Sequence, residues 1–98
     1  MPWDVRISRA AAADLMAARE WLRQPGAGGK AAERLTQIGR ALRALRHDPL
    51  LWPEGEHPGT RSRSVAGYRI IYAITGHEAA RAVIVLRVFG PGQRRDRL

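Results

Sequence analysis

Trp3-Asp4-Val5-Arg6-Ile7 alternates apolar and polar side chains, the pattern of a strand with one buried face. Ser8 changes the period. A serine there is a good N-cap for the alanine-rich run that follows, in which Ala11, Leu15, Ala18 and Leu22 fall at helical spacing along one stripe. Pro25-Gly26 ends that helix. Beyond Gly28-Gly29 the stripe returns as Ala31, Leu35, Ile38, Leu42 and Leu45, about four turns long, leaving Arg34, Arg40, Arg43 and Arg46 for the wet side. Two amphipathic helices joined by so short a link are expected to pack as an antiparallel hairpin. His47-Asp48-Pro49 stops the second one.

Residues 49–60 hold Pro49, Pro53, Pro58, Gly55 and Gly59, too many breakers for regular structure, and are expected to form a loop. Arg61 to Val65, Tyr68 to Thr75 and Ala82 to Phe89 then read as three strands. A tight Ala66-Gly67 turn separates the first two, and a loop around Gly76-His77 the last two. The strands from Tyr68 and from Ala82 are apolar on both faces, which places them at the centre of the sheet. From Gly90 to Leu98 periodicity is lost, and this tail is expected to be mobile. The order β-α-α-β-β-β predicts an α+β fold: a helical hairpin on one face of a small, mainly antiparallel sheet, the other face left open to a ligand.

Length allows one domain over residues 1–98, with no room for a second core or an ordinary cofactor module. Hydrophobic residues at 45% and charged residues at 27% give a globular balance. The chain has neither a run of about 18 apolar residues nor a basic-then-apolar leader, so a soluble, cytoplasmic protein without a membrane partner is expected. The absence of cysteine removes disulfides, thiolate nucleophiles and sulfur-ligated zinc, and agrees with a reducing compartment. No His, Asp or Glu pair has ligand spacing on a shared helix face, and neither a metal nor another cofactor is expected.

Charge changes the picture more than composition does. Seventeen basic residues oppose nine acidic ones for a net charge of +8, and every basic residue except Lys30 is arginine. Residues 1–56 carry nine basic and seven acidic groups, whereas residues 57–98 carry eight basic and two acidic, so the sheet and tail hold most of the field. Guanidiniums bind phosphate and carboxylate through paired hydrogen bonds, so this half should attract a polyanion or an acidic protein. Arg61 and Arg63, two apart on one strand, share a face, and Arg69 begins the next strand across the turn. Three guanidiniums are thus expected to gather near one end of the sheet, with Arg87, Arg94 and Arg95 extending the patch. The bland alternative is protection of strand edges against aggregation.

Metal-free cleavage of RNA would need a base beside those cations. His47 sits at a helix end, His57 in the loop and His77 between strands, with no spacing that unites two of them. Tyr68 and Tyr72, of one parity, read as core or groove wall. Gly90-Pro91-Gly92 follows a strand and opens no helix, which excludes a phosphate cradle of the usual kind.

Taken in order, several pieces resemble one family. They are Ser8 with Asp14-Leu15, the helix end at His47-Asp48-Pro49, Gly59-Thr60-Arg61, Gly67-Tyr68-Arg69-Ile70-Ile71-Tyr72, and Val85-Leu86-Arg87-Val88-Phe89 leading into Gly92-Gln93-Arg94-Arg95. From Val5 to about Arg95 their order and spacing are similar to the RelE/ParE superfamily, the bacterial toxins of type II toxin–antitoxin systems. The resemblance implies the β-α-α-β-β-β fold, a cognate antitoxin as partner and no cofactor. Its ParE-like branch, associated with plasmid stabilisation, poisons DNA gyrase without catalytic residues of its own. Gly59-Thr60-Arg61 and the Leu86 to Arg95 stretch look closer to this branch, with Arg61, Arg63, Arg69, Arg87, Arg94 and Arg95 as the target- or antitoxin-binding set. The RelE-like branch cleaves mRNA on the ribosome with basic residues and a base, often a tyrosine, near the C-terminus. On that reading Arg61, Arg63, Arg69 and Arg94 fill the basic places and His77 or Asp96 the base, because no tyrosine follows Tyr72. A non-toxic basic nucleic-acid-binding module ranks third, since only Tyr68, Tyr72 and Phe89 lie on strands to stack bases.

Overall fold

Strand β1 (Asp4–Ile7) pairs in parallel with the last strand, β4 (Ala82–Phe89), and the chain leaves the pairing at Ser8. The computed structural model describes residues 2–76, 81–93 and 98. In it the Ser8 amide donates to the Val85 carbonyl at 3.0 Å. The Ser8 hydroxyl accepts from the Ala11 amide at 3.0 Å and donates to the Leu86 carbonyl at 2.9 Å. One side chain therefore caps helix α1 (Arg9–Arg23) and ties its start to the sheet edge. Helix α1 stops before Pro25-Gly26, and α2 (Ala31–Ala44) follows the glycine-rich link. The predicted stripes are the buried ones: Ala11, Ala18 and Leu22 on α1, and Ala31 and Ile38 on α2 with Leu45 just beyond it. Arg34, Arg40, Arg43 and Arg46 are exposed.

Strands β2 (Arg61–Val65) and β3 (Tyr68–Thr75) complete a mixed sheet ordered β1-β4-β3-β2, antiparallel except for the β1–β4 pair. β3 and β4 are central, as their two-sided hydrophobicity predicts. The β2–β3 turn has Ala66 at φ +52° and Gly67 at φ +82°, the mirror-image turn whose twist matches a hairpin. Glycine adopts that conformation freely; Ala66 is strained there by roughly 1 kcal/mol.

Ile71 lies opposite Arg87 but Tyr72 opposite Val85, so Leu86 has no partner and β4 carries a bulge. The bulge reverses parity. Val83 and Val85 face the helices before it and Val88 after it, which turns Arg87 and Phe89 to the other face. Between sheet and helices, Leu22, Ile38, Leu45, Ile70, Tyr72 and Val85 form the core. The buried Tyr72 hydroxyl donates to the Pro49 carbonyl and anchors the 49–60 segment. That segment is more ordered than its prolines and glycines suggest. Glu54 bridges Arg61, the Gly55 amide donates to the Thr60 carbonyl at 2.9 Å and the Ser62 amide to the Pro53 carbonyl at 3.2 Å. Residues 53–55 thus run beside the start of β2 as a partial fifth strand. No helix among the described residues is long and apolar enough to cross a membrane.

Candidate functional site

The register of β2 on β3 divides the arginines. Arg61 lies opposite Tyr72 and Arg63 opposite Ile70, both core residues, so these two guanidiniums stand on the helix side. Arg61 donates to the Trp52 carbonyl at 2.6 Å and to the Leu50 carbonyl at 3.3 Å. Arg63 donates to the Ala41 carbonyl of α2 at 3.4 Å and stacks over the Trp52 ring at 4.5 Å. Together they fasten the loop and α2 to the sheet margin. Arg69 lies opposite Ser64 on the open face. The gathering of Arg61, Arg63 and Arg69 expected from sequence does not occur, because the odd positions of β2 oppose the core-facing positions of β3.

The open face has a small apolar floor: Ile71 and Phe89 are 2% and 4% exposed although they lie outside the helix-side core. Arg87 covers the Phe89 ring at 4.5 Å. Its guanidinium is already engaged, with Nε and Nη2 donating to the Asp14 carboxylate at 2.7 and 3.0 Å. Asp14 also accepts from the Val88 amide at 2.9 Å. Beyond Val85, β1 no longer covers the β4 edge, and Ser8 and Asp14 take over its hydrogen bonding. The hydrogen bond to Asp14 holds the Arg87 pKa above the ordinary arginine value in spite of burial. Arg87 therefore does not extend a free cationic patch, which corrects the expectation from sequence.

Arg69 is less committed. Its Nη1 donates to Ser62 Oγ at 2.8 Å, and it holds no backbone carbonyl; its Nε, like that of Arg63, is buried with no partner among the described residues. Beside it a cavity of about 400 Å³ opens between the β2–β3 turn and the Gly90–Gln93 turn, with Ser64, Tyr68, Phe89 and Gln93 in its walls and Arg69 as its one charged wall residue among the described residues. The second turn is built for close approach: a Cβ on Gly90 would come within 3.0 Å of the Tyr68 ring, and the Gln93 side chain accepts from the Gly90 amide. On the other side of Arg69 a cavity of about 560 Å³ is walled by Trp52, Glu54, Glu56, Ser62 and Ser64.

Residues 5–94 match the family described as the ParE toxin of the type II toxin–antitoxin system, parDE. The chain belongs to the ParE toxin family. It is thereby a type II toxin of the RelE/ParE superfamily. Solved structures that share its fold include three from other bacterial toxin systems. The chromosomal ParDE system from P. aeruginosa superposes with a TM-score of 0.70 at 20% identity, over 91% of this chain and 96% of that one. The toxin–antitoxin complex RelBE2 from Mycobacterium tuberculosis gives 0.62 at 25% identity, over 92% and 99%. The YoeB/ParE toxin from Agrobacterium tumefaciens gives 0.62 at 17%, over 89% and 97%. None of the curated proteins matches the chain.

In this ParE-family toxin both strand tyrosines are core residues, as their parity predicts. Burial pushes the Tyr68 and Tyr72 phenols above their ordinary pKa, and the positive charges of Arg34 on Tyr68 and of Arg61 and Arg63 on Tyr72 oppose that only in part. His47 is exposed after α2 and His57 is half-buried in the loop. His77, Arg94, Arg95 and Asp96, all named from sequence as site residues, lie outside the described residues. Two partners escaped the sequence reading. Asp14 is one residue of an alanine-rich helix start, and nothing in its spacing points to Arg87, 73 positions away. Trp52 lies among loop residues, and its stacking on Arg63 follows only from the loop returning along β2.

Proposed function

We propose that this toxin is ParE-like in action: it binds DNA gyrase in the cytoplasm, poisons it without chemistry of its own, and is neutralised by a cognate antitoxin. The observation that carries this reading is the wall of the Arg69 cavity facing the Gly90–Gln93 turn. Arg69 can hold a phosphate or carboxylate there, and its one titratable neighbour in that wall among the described residues, Tyr68, is pushed to higher pKa. That is the wrong direction for a base near neutrality. Without a base to take the 2′-hydroxyl proton, RNA cleavage forgoes a contribution of about 10²–10⁴-fold, roughly 3–5 kcal/mol of barrier. Binding through a guanidinium survives that loss.

The RelE-like alternative, a ribosome-dependent mRNA endonuclease, has one observation in its favour. Glu54 and Glu56 share the second cavity with Arg69, so carboxylates do stand near that cation. On that reading they join His77 and Asp96 as the residues to test as base. Supercoiling by purified gyrase, assayed beside ribosome-dependent cleavage of a defined mRNA, separates the two. The expected result is inhibited supercoiling and intact mRNA; in cells, induction without antitoxin gives DNA breaks and filamentation before translation stops. Codon-phased mRNA cleavage with untouched supercoiling would overturn the proposal.

A further inference from the structure

The outward face of α2 carries cations that the fold leaves unused. Arg40, Arg43 and Arg46 follow at intervals of three on α2 and the turn that continues it, which sets them along one inclined ridge of the helix surface with about 4.5 Å of rise between neighbours. All three are exposed, and none forms an ion pair among the described residues, unlike Arg6 with Asp4 and Arg87 with Asp14. No acidic residue stands three or four positions from any of them; they are one another's neighbours instead, an arrangement that weakens a helix. The helix dipole favours a cation in the last turn, which accounts for Arg43 but not for Arg40 before it. Gly39 weakens the helix further, since glycine inside a helix is less stable than alanine. It has ordinary helical backbone, so no turn requires it. What it provides is room: a Cβ there would stand 3.3 Å from Arg43 Nη1, whose guanidinium lies back over the preceding turn. At the far end of the ridge the Arg46 carbonyl accepts from the Trp3 amide at 2.7 Å, and Arg81, also exposed, lies over the Trp3 ring at 5.3 Å. A fourth cation thus joins the row. Of the exposed acids at this end Asp4 is already taken by Arg6 at 2.9 Å, which leaves Asp48 against four arginines among the described residues.

We propose that this ridge binds the phosphate backbone of duplex DNA. A protein partner needs apolar area at the centre of the contact, and the outward positions Thr36, Arg40, Arg43 and His47 supply none. A single strand needs exposed rings on which bases stack, whereas the ring beside the ridge, Trp3, is half-buried with Arg81 over its face. What the surface offers is a row of guanidiniums on a convex helix. That suits a regular row of phosphates, one negative charge per about 1.7 Å of duplex axis. Contacts of this kind position a duplex without reading its sequence. The choice of DNA over an RNA duplex rests on the reading that gyrase is the target; the ridge itself does not. The hairpin covers one face of the sheet and Arg69 stands on the other, so a duplex on α2 leaves the Arg69 cavity free for a protein partner.

The test is fluorescence anisotropy of a labelled, mixed-sequence DNA duplex titrated with toxin over a range of salt concentrations. Wild type is compared with the ridge variant Arg40→Ala, Arg43→Ala, Arg46→Ala and with a control of equal charge on α1, Arg9→Ala, Arg19→Ala, Arg23→Ala. Alanine is the best helix former, so the ridge variant should keep its fold, and urea unfolding checks that. At about 0.1 M salt the ridge variant is expected to bind roughly a hundredfold more weakly, with a log–log salt slope shallower by about 2–3, while the control stays within about threefold of wild type. Equal losses in the two variants would mean attraction by net charge alone and overturn the ridge, as would undiminished binding by a folded ridge variant. Tighter binding of a single strand, of duplex RNA or of poly-glutamate than of duplex DNA would overturn the choice of ligand. None of these results touches the gyrase reading, which the supercoiling assay tests by itself. A toxin that binds the duplex through the ridge but leaves supercoiling intact would overturn that reading and keep the ridge.

Discussion

On the helix side of β2, Arg61 and Arg63 hold carbonyls and a ring of the same chain, whereas on the open side Arg69 reaches the Ser62 hydroxyl; a buried Nε without a partner among the described residues is common to Arg63 and Arg69. One residue type, a few positions apart, thus serves architecture on one face and remains available on the other. The difference lies in what each guanidinium finds within reach. On the helix side these are backbone carbonyls of the 49–60 segment and of α2; on the open side they are a serine hydroxyl and a cavity. Arg87 stands between the two cases, exposed in parity but tied to Asp14 at the strand edge. A count of arginines on strands overstates the binding surface for this reason.

The contrast can be broken by substitution, and the largest effect is expected at the edge. Asp14→Ala leaves the Val88 amide and the Arg87 guanidinium, whose side chain is only 25% exposed, without their acceptor. A loss of about 2–3 kcal/mol is expected from urea unfolding, because an orphaned, largely buried charge costs more than the pair contributes. A change within about 0.5 kcal/mol would mean that Arg87 is free after all. Next comes the direct comparison of faces. Arg61→Ala should lose about 1–2 kcal/mol and open residues 49–60 to proteolysis, since two loop carbonyls lose their donor. Arg69→Ala should stay within about 0.5 kcal/mol of wild type in stability while partner binding falls. Equal stability losses for the two would erase the distinction.

Smaller effects sharpen the picture without touching it. Ala66→Gly relieves a left-handed alanine in the turn joining the two strands and should raise stability by about 0.5–1 kcal/mol, with partner affinity unchanged. Tyr68 and Tyr72 contribute no pH dependence near neutrality. Their phenols are raised in the fold above the ordinary value of 10.0, so the folded state favours the protonated form. The stability this confers is fully present below pH 10.0 and is lost as pH rises through the folded pKa values. Ultraviolet titration should show both phenols ionising above the ordinary tyrosine range, together with unfolding; a normal titration in the folded state would place them at the surface.

Element order, helix stripes, the Ser8 cap, the central strands and the tight turn are legible in the sequence because each follows from neighbours a few residues away. Part of the site was present in the pattern too, although the expected gathering of Arg61, Arg63 and Arg69 overlooked it. Val65, the one hydrophobic residue of β2, shares parity with Arg61 and Arg63, so the strand's own pattern points those arginines toward the core. Arg69 alternates with Tyr68, Ile70 and Tyr72, which leaves it on the other face by the same rule. Other features were decided only in three dimensions. The bulge at Leu86 reverses the parity of β4, Asp14 reaches Arg87 across the parallel edge, and Pro53 covers the start of β2. Sequence by itself fixes which residues share a stripe or an alternation, because those periods are properties of a single helix or strand. Which stripe meets which partner depends on register between segments far apart in the chain, and that is set by the packing of the whole core rather than by any local pattern.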